Sequence, residues 1–150
     1  MTNAGTKIST YATNDINTAN RLHLLVMLYD SAVKFMALAI KNLDAGNIAE
    51  KGMYVGKAIA IISEFRGTLD FGPDPKLAKN LDNLYTFIND NLLQGNIKND
   101  RKQLENALRI TVTLREGWVE LENKVKKGEV PDIGGKALSQ NENSAVRISV

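Results

Sequence analysis

The sequence predicts an all-α fold: an antiparallel up-down-up-down four-helix bundle with an N-terminal capping segment. Four segments repeat apolar residues at steps of three and four, the period of a helix face packed on a core. Glycine follows each segment, as it does at left-handed helix ends. The linkers are short, so neighbouring helices should be antiparallel. No stretch shows the alternation of a strand.

The first predicted helix runs from about Arg21 to Ala45, with Asn20 as its N-cap and Gly46 after its end. Its apolar side chains cover an arc of about 200°, whereas one packed face needs only about 100°. Two explanations stay open. Either this is the most buried helix of the bundle, or the surplus forms a groove for an apolar partner segment.

The second predicted helix starts after Asn47, where Glu50 would complete a capping box, and it ends at Phe71. Each glycine in its interior costs about 0.8–1 kcal/mol relative to alanine. These residues indicate either close packing at a helix crossing, or a soft helix start or a surface that another backbone approaches closely. They are Gly52, Gly56 and Gly67.

The third and fourth predicted helices begin at aspartate caps. Asp74 precedes a proline, which suits the first helical position, and this helix ends near Gln94, before Gly95. The fourth starts at Asp100 and stops before Gly128. The predicted bundle therefore spans residues 20–128.

Two terminal segments fall outside the predicted bundle. Residues 1–19 are rich in Thr and Asn but carry three apolar residues, Ile8, Tyr11 and Ile16. Residues 129–150 have polar runs, a Gly-Gly pair and no amphipathic period, which predicts a flexible C-terminal tail.

Composition narrows the class of protein. The 150 residues suit one domain, and 43% hydrophobic with 24% charged residues is typical of a soluble protein. No apolar run approaches the roughly 20 residues of a membrane span, and the N-terminus lacks the apolar core of a signal peptide. We therefore expect a cytoplasmic protein with no membrane insertion. The net charge of +2 gives no argument for nucleic acid.

The sequence offers little for catalysis or metal binding. It has no cysteine and one histidine, His23, without the Glu-x-x-His pairs of a di-metal bundle. We interpret His23 as a solvated residue in the first helical turn. P-loop, dinucleotide-binding and nucleophile-elbow motifs are absent. The lysines near the end of the fourth helix suit the helix dipole better than nucleic acid. We predict no catalytic residue, metal or cofactor; a metal-dependent bundle hydrolase is the least supported alternative.

The order of several motifs resembles the FliS family of flagellin-specific secretion chaperones over about residues 11–122. These motifs are YATNDINTA, LLVMLYDSAVKFMALA, GNIAEKGMYVGKAIAIISEFRGTLD, LAKNLDNLYTFINDNLLQGNIKND and LRITVTLREGW. The resemblance implies a compact antiparallel bundle in the cytoplasm that is not an enzyme. It also implies that the protein binds the C-terminal segment of newly made flagellin, prevents its polymerisation and delivers it to the flagellar type III export gate.

The resemblance also points to client-binding residues. In the family the client wraps around the bundle, partly helical and partly extended, against apolar surfaces, and the N-terminal segment covers part of that surface in the free chaperone. Large apolar residues of this segment and of the first three helices are therefore the candidates. They are Tyr11, Ile16, Leu24, Leu28, Tyr29, Phe35, Tyr54, Ile61 and Tyr85. Tyr29 and Tyr85 also fit core positions whose hydroxyls reach the edge of the bundle.

One departure from the family lies at the start of the first bundle helix. The family usually has Ser-Pro-acidic-acidic there, whereas this chain has Asn20, Arg21, Leu22 and His23. The difference concerns the stability of the helix start and leaves the fold expectation unchanged. An alternative function is a helical adaptor or regulator that binds another flagellar or secretion protein, and other flagellar regulators are further candidate partners.

Overall fold

The computed structural model describes residues 10–129, with side chains from residue 19 onward. It contains four helices: α1 (Thr10–Asp44), α2 (Ile48–Gly67), α3 (Pro75–Lys98) and α4 (Arg101–Lys126). No strand occurs between residues 10 and 129. Each helix packs on two neighbours, in the cyclic order α1, α2, α3, α4. The predicted four-helix bundle is confirmed.

Contacts between α1 and α4 establish their relative direction. His23 contacts Glu122 near one end of the bundle, and Asp44 contacts Arg101 near the other. Residue numbers thus rise along α1 as they fall along α4. The pairs Lys51–Asn96 and Arg66–Asp82 give the same result for α2 and α3. Adjacent helices are antiparallel, as the short linkers predict.

Helix α1 begins earlier than predicted. It runs without a break through Asn20, which is an interior residue and not an N-cap. Neither glycine nor proline occurs from Thr10 to Asp44, so no residue forces the helix to end. Arg21 keeps the backbone N–H that a proline would lack. The end is close to the prediction, with Gly46 at φ +80° just beyond Asp44.

The predicted start of α2 is confirmed, but its predicted cap and its predicted end are wrong. Asn47 precedes the helix, but its side chain makes no capping hydrogen bond and instead donates to Asn42 Oδ1 at 3.1 Å. The helix ends at Gly67 and not at Phe71. The Thr68 hydroxyl donates to the Phe65 carbonyl at 3.1 Å, which satisfies a terminal acceptor. The prediction was too long because the apolar residues Leu69 and Phe71 continue beyond the end of the helix.

Both predicted aspartate caps are confirmed. Asp74 Oδ1 accepts a hydrogen bond from the backbone N–H of Leu77 at 3.0 Å, and Asp100 accepts one from Lys102 at 3.0 Å. Gly128, with φ +73°, follows the end of α4 as expected. In both cases the capping carboxylate satisfies a backbone N–H of the first helical turn.

The predicted end of α3 is wrong because Gly95 is a packing residue. The helix continues through Gly95 to Lys98, and Asn99 takes the left-handed conformation at φ +50°. A Cβ added to Gly95 would lie 2.7 Å from Cδ2 of Leu104. Gly95 therefore allows α3 and α4 to approach closely, and its position after an apolar run resembles a cap only in sequence.

The centre of the core contains a hydrogen-bonded aromatic group. The hydroxyls of Tyr29 and Tyr85 lie 2.6 Å apart, and the Trp118 indole donates to the Tyr29 hydroxyl at 3.1 Å. The Tyr29 ring stacks on Phe65 with centroids 4.6 Å apart. Burial raises the pKa of both phenols above the ordinary value, so both remain protonated at neutral pH. This group joins all four helices.

One described segment, Ala19–Asp44, is long and apolar enough to cross a membrane on length and composition alone. The sequence analysis expected no such run. In the bundle, however, a stripe of this segment is fully buried against the neighbouring helices. The segment therefore fits the core helix of a soluble protein.

Candidate functional site

The surplus apolar arc of α1 faces α2. Leu24, Leu28 and Phe35 lie on this flank, and all three are only partly buried, whereas the core-facing Tyr29 and Ala32 are fully buried. Among the described residues, no further element lies over this flank. Packing inside the bundle therefore explains only part of the arc.

The flank forms one wall of a groove between α1 and α2. Leu28, Ala60, Ile61 and Glu64 line an open cavity of about 260 Å³. Apart from the Glu64 carboxylate, these side chains are aliphatic. A cavity of this size and chemistry accepts an aliphatic or aromatic side chain of a partner.

Further along the groove, two aromatic rings lie side by side. Phe35 and Tyr54 stack with centroids 6.0 Å apart and planes at 23°. The Lys57 ammonium lies 5.6 Å from the Phe35 centroid, within the range of a cation–π interaction. The groove thus continues as an aromatic surface with a positive charge at its edge. We call this feature, from Leu28 and Ile61 to Phe35 and Tyr54, the α1/α2 groove.

The opposite flank of α1 is polar and paired with α4. His23 Nδ1 lies 2.8 Å from Glu122 Oε2, Asp30 pairs with Arg115, and Asp44 with Arg101. We call this set of contacts the α1/α4 seam. The interpretation of His23 changes accordingly: its ring is exposed, but it lies inside α1 and pairs with Glu122 rather than opening the helix.

The lysines at the end of α4 also have local partners. Lys124 lies 3.4 Å from Glu120, and Lys126 lies 3.4 Å from Glu122, both one turn away. These pairs explain the positive charges without nucleic acid. The part of the chain from residue 19 to residue 129 holds no cluster of three His, Cys, Asp or Glu residues that could bind a metal.

Comparison with known proteins decides the family. The family model described as "Flagellar protein FliS" matches residues 3–125, most of the chain and all of the bundle except its final residues. This chain belongs to the FliS family. The match ends at residue 125, one residue before the end of α4.

Named relatives support the same assignment. FliSB of Pseudomonas aeruginosa, a flagellar secretion chaperone, is 32% identical over 69% of this chain and 82% of its own length. FliS of Vibrio cholerae is 30% identical over 70% and 77%, and FliS of Bacillus subtilis is 30% identical over 79% and 90%. The chain is therefore a flagellar secretion chaperone of the FliS family, and membership implies a non-enzymatic role.

The structure brings together five of the nine residues predicted from sequence. Leu28 and Ile61 line the cavity, Phe35 and Tyr54 stack beside it, and Leu24 lies one turn from Leu28 on the same flank. The remaining four lie elsewhere. Tyr29 and Tyr85 are fully buried, with hydroxyls at the centre of the core and not at its edge, and the side chains of Tyr11 and Ile16 lie outside the described residues.

Three residues of the groove were not predicted from the sequence. Ala60 and Glu64 line the cavity, and Lys57 lies against Phe35. A helical wheel of α2 contains part of the signal, because Lys57, Ile61 and Glu64 fall on one flank at steps of four and three. Only the packing of α1 against α2 shows that this flank borders a groove.

Proposed function

We propose that this FliS protein is a cytoplasmic export chaperone for flagellin. It binds the flagellin C-terminal segment, prevents premature polymerisation and delivers the client to the flagellar type III export apparatus. The observation that carries the proposal is the open apolar α1/α2 groove on a bundle of the FliS family. Contiguous exposed apolar surface, with charged residues at its edge, marks protein–protein interaction sites.

The groove suits an apolar segment of the client. Burying one large side chain in the cavity contributes about 1.5–3 kcal/mol, and several such contacts along the groove give a stable complex. The outer flanks of α3 expose further apolar side chains, Phe87, Leu93 and Ile97, each at least 47% accessible. These positions supply additional contact area for a client that wraps around the bundle.

The N-terminal segment acts as a removable cover in this proposal. Because helix α1 runs unbroken from Thr10, this cover requires the helix to break near Asn20 in the free chaperone, so that Ile8, Tyr11 and Ile16 turn back onto the groove and leave it when the client binds. Only the uncovered fraction can bind client, so the cover lowers the apparent affinity. Release of the cover would make residues 1–19 available to the export gate or to other flagellar regulators.

Binding measurements test the function directly. Calorimetry of the full-length chaperone with flagellin from the same genome should give one-to-one binding with a negative heat-capacity change, which marks apolar burial. Flagellin lacking its C-terminal segment should not bind. Equal binding of both flagellins would contradict the proposal and favour an adaptor for another flagellar or secretion protein.

Hydrogen exchange tests the cover. Client binding should change exchange at residues 8–20, and Tyr11→Ala or Ile16→Ala should change client affinity. Affinity should rise or hold if these residues only cover the groove, and fall if they also contact the client. Coil-like exchange in both states, with both variants silent, would exclude the cover.

Deletion of residues 132–150 should leave binding and thermal midpoint unchanged.

A further inference from the structure

The edge of α2 that borders the groove carries charges at a regular interval. Glu50, Lys57 and Glu64 follow one another at steps of seven residues. Every position three or four residues from each of them is uncharged. An ion pair within α2, which needs that spacing, is therefore impossible for all three.

These charges also have no partner across the groove. The α1 flank opposite them carries Leu24, Leu28 and Phe35, together with Arg21, which has a partner of its own. No ion pair joins Glu50, Lys57 or Glu64 to any other residue within 19–129. The Lys57 ammonium lies over the face of the Phe35 ring. The edge thus presents the order negative, positive, negative to whatever lies in the groove.

The apolar walls of the groove repeat with the same interval. Leu28 and Phe35 on α1 are seven residues apart, and so are Tyr54 and Ile61 on α2. Seven helical residues rise about 10.5 Å. A partner helix repeats one face at this distance, whereas a strand repeats its face about every 7 Å. The groove therefore matches a third helix packed in the manner of a coiled coil.

We propose that a helical part of the export client lies in the α1/α2 groove, with an acidic residue facing Lys57 and basic residues seven positions away on either side facing Glu50 and Glu64. This inference rests on the proposed function and adds the charge pattern and the register of the bound segment. Apolar residues of that helix fill the cavity at Leu28 and Ile61. The charges at the edge of α2 then determine which heptad of the client lies in the groove, as interhelical ion pairs do in coiled coils.

The size of the groove favours a single helix over a second copy of the chain. Two heptads span about 21 Å, and a groove of that length is too small for a stable interface between two folded proteins, which buries about 1,200–2,000 Å². One amphipathic helix fills it. Complementary charge then comes from the client and not from a symmetry-related α2.

Charge reversal in the full-length chaperone tests the proposal. Lys57→Glu and Glu64→Lys should each weaken binding of flagellin from the same genome about fivefold at low salt, since attraction becomes repulsion. The loss should shrink in 1 M salt, where charges are screened beyond about 3 Å. Lys102→Glu and Glu116→Lys are matched controls, because both residues are exposed on α4, away from the groove and from the apolar flank of α3.

Rescue completes the test. Changing to lysine the client acidic residue that has basic residues seven positions before and after it should restore affinity to Lys57→Glu and not to Glu64→Lys. Reversals that behave like the α4 controls, or rescue by a residue outside this seven-residue pattern, would overturn the inference.

Two further outcomes separate the inference from the function on which it rests. If wild-type protein binds flagellin and Ile61→Asp abolishes binding while the reversals are silent, the function stands and the charge pattern fails. If wild-type protein does not bind, the function itself fails. A wild-type dimer that Lys57→Glu dissociates in sedimentation without client would assign the groove to a second copy, against the proposal.

Discussion

The two flanks of α1 differ in whether their exposed side chains have partners within the bundle. On the α4 side, His23, Asp30 and Asp44 each have a partner on α4 or at its start. On the α2 side, Leu28 and Phe35 border an open apolar groove. The charged side chains on one flank of α1 are thus paired with α4, whereas the apolar side chains on the other flank remain partly exposed.

The difference shows where a partner is needed. Exposed ion pairs contribute little to stability, typically about 0–1 kcal/mol each, and water can solvate them if they break. Apolar side chains have no such alternative and gain only when another apolar surface covers them. The α1/α4 seam is therefore paired within the chain, and the α1/α2 groove is the flank on which the proposed client would bury apolar surface.

The largest expected effect is a loss of flagellin affinity that occurs when the groove flank is changed and not when the α4 flank is changed. Leu28→Asp combined with Ile61→Asp should reduce flagellin affinity at least about tenfold, because two carboxylates replace apolar contacts. The thermal midpoint should change little, because both side chains are already partly exposed. Asp30→Asn with Arg115→Gln is the matched change in the α1/α4 seam and should leave affinity intact. Equal losses in both double variants would end the distinction between the flanks.

The next effect concerns the tyrosine pair between the flanks. Tyr85→Phe should lower the free energy of unfolding by about 1–2 kcal/mol, because the buried Tyr29 hydroxyl loses a hydrogen bond. Client affinity should hold, since neither ring reaches the groove. Denaturant unfolding with a parallel binding titration checks both expectations. A selective loss of affinity would instead place these residues in the client site.

The same pair predicts loss of stability at alkaline pH. Burial raises the pKa of both phenols in the folded state, whereas in the unfolded chain they ionise near pH 10. Their contribution is therefore complete below about pH 10 and declines as pH rises further. Burial lowers the pKa of Lys51, which acts in the opposite direction. Comparing wild type with Tyr29→Phe/Tyr85→Phe across this range isolates the phenols, and parallel curves would contradict the prediction.

A smaller effect separates two kinds of helix glycine. Gly56→Ala should raise the free energy of unfolding by about 0.5–1 kcal/mol, since an added Cβ meets no atom within 4 Å and helix propensity improves. Gly95→Ala should destabilise, because its Cβ would lie 2.7 Å from Leu104. Thermal unfolding measures both changes. Destabilisation by Gly56→Ala would contradict the prediction and would mean that another part of the chain packs against Gly56.

The smallest effect belongs to a single seam pair. Arg115→Ala should lower the free energy of unfolding by no more than about 0.5 kcal/mol, and the difference from wild type should vanish at high salt. Urea unfolding at low and high ionic strength checks this. A loss that persists at high salt would mean that Arg115 stabilises α1 and α4 by packing.

Local signals were predicted better than long-range ones. The caps at Asp74 and Asp100 and the glycine turn at Gly46 are confirmed, and each acts within a few residues. The predicted asparagine caps at Asn20 and Asn47 are wrong, because α1 continues through Asn20 and the Asn47 side chain bonds to Asn42. Gly95 resembles a helix end in sequence, yet its requirement comes from Leu104 on the next helix. Gly56 and Gly67 were open to a packing explanation, which the empty space around both positions excludes.

The candidate site divides in the same way. Periodicity marked Leu28, Phe35, Tyr54 and Ile61 as apolar, but it could not separate them from Tyr29, which lies on the same apolar arc. Leu28 and Tyr29 are consecutive residues of α1, so their side chains are separated by about 100° around the helix axis. Which of the two is buried depends on where α2 and α4 lie against the helix.

By itself the sequence determined the helical class, the number of bundle helices, most of the turns and the family, because periodicity, capping and motif order are properties of neighbouring residues. The tertiary structure alone decided which part of the α1 arc is core and which is groove, that the charges of the α1/α4 seam are paired, and that those of the α2 edge are not. Burial and pairing depend on distances between residues far apart in the chain. His23 and Glu122, 99 positions apart, meet only because four helices pack around one core.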